Sequence, residues 1–376
     1  MIYLDHNATT PPYREVVDVM KSQLLNNWGN PSSSYRFGLS AKRALDEARA
    51  SVAGFLNAEP DQVVFTSGAT EAINSAINSA VLSAPKKKHI ITSCVEHSAT
   101  LAYCEYLESV HGYEITRLSV SPDGAIDLGL LEQAFRQDTA IVTLIWANNE
   151  TGVVWPMAEI SELCRTHEIP LHVDAVQAVD KIQVDFLTLG ADFLSFSGHK
   201  IGALKGSGAL LVAEPSRFQP ILYGGKQERG HRGGTEATPL IHAIGVACDI
   251  CSAEPLGKWD EIRRLRDFLE HELSEKLVNS PIHGLGIERL PNTTSLHLPG
   301  IDGDAAVTFL DQKEICVSSG SACLESAIAP SHVVLAMTGS HERASETIRI
   351  SLGKSTTRDE VETLIGELVS MVEMLG

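Results

Sequence analysis

The chain has 376 residues, too many for one ordinary hydrophobic core and enough for a large domain and a smaller one. An apolar fraction of 43% beside a charged fraction of 21% belongs to a folded protein, not a disordered one. Lysine and arginine number 30 against 48 aspartate and glutamate, so the net charge is −18, which argues against a general binder of nucleic acid or of anionic membranes.

From the start, Met1 to His6 carries no basic segment leading into an apolar one, and no later apolar run is as long as a membrane span. A cytoplasmic chain is therefore expected. Residues 14–25 place Val16, Val17, Met20 and Leu24 at helical spacing, and Asn30-Pro31-Ser32-Ser33 then breaks the chain. A second helix is expected from an N-cap at Ser40 to Leu56, with Leu45, Ala48, Val52 and Phe55 on one face. Short apolar runs at 63–65, 89–92, 115–118, 141–145, 171–173 and 193–196 then alternate with helical segments at 70–82, 99–110, 128–135 and 157–165. Strands alternating with helices predict an α/β fold, a mostly parallel sheet covered by helices on both faces.

In such sheets ligands sit at the carboxyl ends of strands, so the residues just past each run carry the functional information. After the first run, Thr66-Ser67-Gly68-Ala69-Thr70-Glu71 is a small turn opening a helix, whose amides suit a phosphate or merely begin a capped helix. After the second comes Glu96-His97, an imidazole able to stack on a ring or move a proton. Asn148-Asn149-Glu150-Thr151-Gly152 follows the fourth and reads a carboxylate or a phenolic oxygen, or simply makes a turn. Asp174-Ala175-Val176-Gln177 follows the fifth; a carboxylate there is costly unless paired, and a protonated pyridine is such a partner. Ser195-Phe196-Ser197-Gly198-His199-Lys200 closes the sixth with an amine able to form a Schiff base, beside Ser197 and His199 as phosphate donors. Five strand ends thus offer parts for one molecule of pyridoxal 5′-phosphate.

Past the lysine, 209–212 reads as a seventh strand, and Gly224 to Thr235 as a glycine-rich loop too polar for core, either flexible surface or a segment reaching a neighbouring subunit's phosphate. Helices are expected at 239–254 and 259–277, the second long enough to link domains, and Pro281 to Pro291 marks a domain boundary. Seven scattered cysteines do not suggest a disulfide framework, and Cys248 and Cys251 read as buried helix residues, not half of a metal motif. No metal site is expected. The last part alternates again: strands at 294–298, 315–317 and 347–352, a helix capped by Asp302 or Asp304, one after Pro330-Ser331, and one at 357–375. Cys323, in Ser318-Ser319-Gly320-Ser321-Ala322-Cys323, is a thiol among small residues, accessible as a nucleophile must be. Arg349 is a charge inside a strand pattern; if buried it needs an anion, such as a substrate carboxylate, and otherwise it makes a surface salt bridge.

Taken in order, Tyr3-Leu4-Asp5, Asn30-Pro31-Ser32-Ser33, TSGATE at 66–71, EH at 96–97, NNETG at 148–152, DAVQ at 174–177, SGHK at 197–200, RGGT at 232–235, SSGSAC at 318–323 and TIRISLG at 347–353 resemble the NifS/IscS-type cysteine desulfurases. These are fold-type I pyridoxal-phosphate enzymes of the aminotransferase class V group. The resemblance implies a seven-stranded large domain over 1–260, with residues 1–15 packing on a smaller α+β domain over 261–376. It implies that Lys200 carries the Schiff base and moves protons at the substrate α-carbon, that Asp174 pairs with the pyridine nitrogen, and that Gln177 bonds the phenolic oxygen. By the same resemblance His97 stacks on the ring and assists proton transfer. Ala69, Thr70, Ser197 and His199 hold the phosphate, with Thr235 from the other subunit of a homodimer. Asn149 and Arg349 grip the carboxylate of L-cysteine. Cys323 takes the sulfur as a persulfide, leaves alanine, and hands the sulfur to acceptor proteins of iron–sulfur cluster assembly, tRNA or cofactor thiolation, or DNA phosphorothioation.

The chain departs from the family's usual pattern at Leu324-Glu325-Ser326 after the cysteine, at Leu204 and at Trp155, none of which removes a catalytic group. A selenocysteine lyase or related lyase on the same scaffold is the alternative enzyme, and a non-catalytic sulfur-transfer scaffold the alternative of another class.

Overall fold

The structure, a computed structural model, describes residues 1–254, 257–320 and 330–375. Its strands are β1 (Ile2–Tyr3), β2 (Val63–Thr66), β3 (His89–Ser93), β4 (Glu114–Leu118), β5 (Thr139–Ile145), β6 (Leu171–Asp174), β7 (Phe193–Ser197), β8 (Gly208–Val212), β9 (Thr293–His297), β10 (Ile315–Cys316), β11 (Ser318–Ser319) and β12 (Thr347–Ser351). Seven of them form one sheet in the order β2-β8-β7-β6-β5-β3-β4, in which β8 alone runs against the others. The mostly parallel α/β sheet expected from the alternating pattern is present.

Period-two alternation decides which core each strand residue joins. Val63, Phe65, Ile91, Val142, Leu194 and Phe196 face a core shared with Leu45, Val52 and Ile244, while Val64, Ile90, Ile141 and Phe193 face the opposite one, with Ile73 and Ile77. Both faces are covered, so β3 and β5 to β7 are buried at every residue, as parallel strands must be. β4, at the edge, is partly exposed.

A third core joins Leu4 to Trp259, Leu269, Leu296, Ile348 and Leu364. Here β9, β12 and β11 form an antiparallel sheet, and β1 pairs in parallel with β10, which ties the first residues of the chain to its last third. An isolated bridge between Asp5 and Ser351 continues that seam. The next residues then run on toward the carboxyl ends of the large sheet, where Thr10 bonds the carbonyl of His199.

Two local expectations are corrected. The second helix is Arg36–Phe55, beginning four residues before Ser40. Tertiary contact overrides the cap rule: Phe37 meets Trp28 edge-on at 4.9 Å, and a Cβ on Gly38 would fall 2.6–2.7 Å from the Ser33 and Asn30 carbonyls. The glycine-rich loop is also not all surface, for Glu228 is 6% exposed and accepts two hydrogen bonds from Arg49 at 2.6 and 2.9 Å and one from the Phe65 amide at 2.9 Å. Cys248 and Cys251 are buried in the helix Thr238–Ala253. No single helix among the described residues is long and apolar enough to cross a membrane.

Candidate active site

The carboxyl ends of β2, β3, β5, β6 and β7 surround a cavity of about 460 Å³, closed from the far side by Asn7, Ala8 and Arg349. Ala69, Thr70, His97, Asn149, Asp174, Gln177, Ser197, His199, Lys200 and Arg349 all line it. Thr235 is exposed and stands outside the cavity, and Cys323 lies outside the described residues.

At one end, Gly68 stands at φ +155° ahead of the helix Ala69–Ser83, whose first turn has no side-chain cap. The amides there are left for a ligand. β8 passes close behind: a Cβ on Gly208 would lie 2.7 Å from the Gly68 Cα, so a glycine is required for the approach. Glu71 accepts from the Ser67 amide at 2.8 Å and from Arg232 Nε at 2.9 Å, and the guanidinium lowers its pKa against the opposing effect of burial. His199 Nδ1 contacts Thr9 Oγ1 at 3.2 Å, and burial, with Lys200 and Lys205 nearby, lowers its pKa to about 4.

At the floor, Asp174 ends the central strand and is 2% exposed. Burial pushes its pKa up to about 6, against the Val176 amide, which donates at 3.0 Å, and the charge of Lys200. A buried carboxylate so placed gains from a cation in the cavity. Lys200, in the 3-10 turn Gly198–Lys200, donates from Nζ to the Ala8 carbonyl at 2.7 Å and to the Asn7 carbonyl. His97 caps the helix Ser98–His111, its Nδ1 accepting from the Ala99 amide at 3.1 Å, and burial with Lys200 and His332 lowers its pKa to about 4. The neutral ring therefore carries its proton on Nε2.

The two readings of the asparagine cluster divide between neighbours. Asn148 makes the turn, its Oδ1 accepting from the Glu150 and Thr151 amides, while Asn149 lines the cavity. Arg349 likewise meets neither alternative alone: it is 3% exposed and its anion is Asp5, at 2.7 Å. Its Nη1 donates to the Asn149 carbonyl at 3.1 Å, and its buried Nε meets no hydrogen-bond partner among the described residues.

Sequence reasoning missed Asn7, Lys181 and Lys205. The Asn7 carbonyl accepts from Lys200 and from Gln177 Nε2, and its side chain bonds Thr293 and Asn292, joining the cavity to β9. No periodicity marks a residue in an irregular N-terminal segment. Lys181 had a signal, a lysine among apolar neighbours four residues past Gln177. Lys200, Lys205 and Arg349 on its wall outnumber the two lining carboxylates, Glu71 and Asp174, so the cavity is less acidic than the chain as a whole, which favours an anionic ligand.

An uncapped helix start, a buried carboxylate, a lysine and a guanidinium nitrogen without a partner among the described residues together fit a phosphorylated pyridine aldehyde and an amino-acid carboxylate. The aminotransferase class-V profile matches residues 2–364. Over 375 residues the chain is 43% identical to a cysteine desulfurase of Trichormus azollae, covering all of this chain and 94% of that protein. Among solved structures, a NifS-like protein superposes with a TM-score of 0.92 at 32% identity, with both chains fully covered. SspA in complex with cysteine superposes at 0.81 with 34% identity, over 95% of this chain and all of that one.

Proposed function

The chain belongs to the aminotransferase class-V family, among the cysteine desulfurases, and from that premise we propose that it converts L-cysteine to L-alanine with pyridoxal 5′-phosphate and passes the sulfur on through Cys323. The observation that carries the reading is that Lys200, Asp174 and His97, from three different strand ends, line one cavity with Arg349. When bound, the cofactor supplies an aldehyde for an amine and an electron-poor ring that acidifies the substrate α-carbon.

Each residue then has a defined task. Lys200 Nζ holds the cofactor and afterwards takes and returns the proton at the α-carbon. Asp174 supplies the carboxylate for a protonated ring nitrogen, Gln177 a donor for the phenolic oxygen, and His97 a flat neutral face with a proton on Nε2. Ala69, Thr70, Ser197 and His199 take the phosphate, joined by Thr235 of the second subunit. Arg349 and Asn149 orient the substrate carboxylate. The Cys323 thiolate attacks the substrate sulfur; an S–S bond forms as the C–S bond breaks, its electron pair stays with carbon, and protonation there gives alanine.

A homodimer in the cytoplasm is part of the proposal. Leu24, Leu25, Trp28 and Tyr35 are large, apolar and 55–71% exposed within twelve residues of sequence, which supports a covered surface there. The core that joins Leu4 with residues from Trp259 onward supports a small domain over 261–376 that holds the first residues of the chain; the helix Gly257–Lys276 shares that core with Leu296 and Ile348, which speaks against a domain boundary at Pro281 to Pro291. Sulfur-accepting proteins are the proposed partners.

The test is incubation with L-cysteine and a thiol reductant, measuring alanine and sulfide in equal amounts. Cys323→Ser should release less than a hundredth of the parent's sulfide, and an unchanged rate would remove Cys323 from its role.

A further inference from the structure

Lys181 is a lysine buried to 4% exposure behind the cavity wall. Its Nζ donates to Gln177 Oε1 at 2.6 Å and to the Gln177 carbonyl at 3.4 Å. On the other side of the same carboxamide, Gln177 Nε2 donates to the Asn7 carbonyl at 3.0 Å. A carboxamide has one accepting and one donating end, and either can face a ligand unless its neighbours decide. An ammonium only donates and a carbonyl only accepts, so these two neighbours permit one orientation. The second Nε2 proton is then the one left for the cavity that Gln177 lines.

We infer that Lys181 is a positioning residue that locks the Gln177 carboxamide with its N–H toward the cavity, so that Gln177 can only donate to the phenolic oxygen of the cofactor. The inference rests on the cofactor reading above and adds the residue that fixes the polarity of that contact. Lys181 itself does not line the cavity. Burial, with Lys200, Arg349 and Lys354 against Asp180, lowers its pKa to about 7, and His6 also feels its charge. Either protonation state keeps N–H donors for Oε1, and although the neutral amine can also accept, turning the amide would set Oε1 against the Asn7 carbonyl oxygen, so one orientation is favoured in both states. In a Lys181→Met variant Oε1 would be buried without a donor and the Asn7 carbonyl alone would hold the carboxamide, so its N–H would be less firmly fixed toward the cavity.

The experiment titrates apoprotein with pyridoxal 5′-phosphate, reading the dissociation constant, and then follows the pH midpoint of the cofactor's visible absorption. Lys181→Met should weaken binding about tenfold and raise the midpoint by about one pH unit, since a phenolic oxygen without its donor is more basic. Lys181→Arg should restore both to within threefold of the parent. In a Gln177→Ala background, Lys181→Met should add less than twofold, because the effect is carried through Gln177. Should Lys181→Met fail to fold, Lys181→Gln, one bond shorter and able to accept as well as donate, should give an intermediate loss. A Lys181 variant matching the parent, or an undiminished loss in the Gln177→Ala background, overturns this inference alone. A parent apoprotein that binds no cofactor overturns the reading beneath it as well.

Discussion

Arg349 Nη2 donates to Asp5 Oδ1 at 2.7 Å, an ion pair whose side chains are 4% and 17% exposed and whose members stand 344 residues apart. It fastens the first residues of the chain to β12 and keeps a buried guanidinium neutralised in the absence of substrate. Removing one member of such a pair strands the other. Asp5→Asn should lose about 2–4 kcal/mol in urea unfolding. The exposed pair Arg14–Asp18, at 3.9 Å and with side chains 92% and 70% exposed, gives the control, and Asp18→Asn should change stability by less than about 0.5 kcal/mol. Equal losses would contradict the buried-pair account.

Lysine cannot replace the Arg349 fork. Arg349→Lys keeps one charge but loses the planar set of donors, including the Nε that is unpartnered among the described residues. The KM for L-cysteine should rise at least tenfold with a smaller change in kcat, and an unaltered KM would place the carboxylate elsewhere.

Lys200 donates to the Asn7 and Ala8 carbonyls, which hold its amine at the cavity. Lys200→Ala should lack the visible absorption of the lysine-bound cofactor and release no sulfide above background. A retained band would assign the attachment to another amine.

Glu96, beside His97, is fully buried, and burial pushes its pKa up to about 8 even though Ser93 donates to it at 2.6 Å. A carboxyl whose folded value is raised stabilises the fold fully below its unfolded value near 4.5, and that contribution is lost as pH rises toward 8. Glu96→Gln has no proton to lose. Relative to the parent, its unfolding free energy should therefore rise by about 2–4 kcal/mol between pH 5 and pH 8. Parallel pH profiles of the two proteins would show that Glu96 is ionised at neutral pH.

Much of the architecture was legible because its signals are local. Apolar runs of three to five residues separated by helical spacing marked the strands of the large sheet, and the motifs at their ends contain Ala69, Thr70, His97, Asn149, Asp174, Gln177, Ser197, His199 and Lys200, all of which line one cavity. Where local rules competed with packing they lost. Ser40 is a good cap by type, yet the helix begins at Arg36 because Phe37 and Gly38 are fixed against Trp28 and the turn at Asn30. Glu228 sits in a loop polar enough to read as surface, yet Arg49 draws it inside.

Period-two and 3.6-residue patterns are written into a few consecutive residues, and they settled the α/β class and where the strand tips lie, while the roles expected at those tips came from the resemblance of the ordered motifs. The partner of a buried charge is not written there. Asp5 opposite Arg349, Asn7 under Lys200 and Glu228 on Arg49 are contacts across 344, 193 and 179 residues, and only the closed fold chooses among the chain's many carboxylates and carbonyls. A desolvated ion or amide takes whichever complementary group the packing brings within about 3 Å, and that proximity is a property of the whole chain at once.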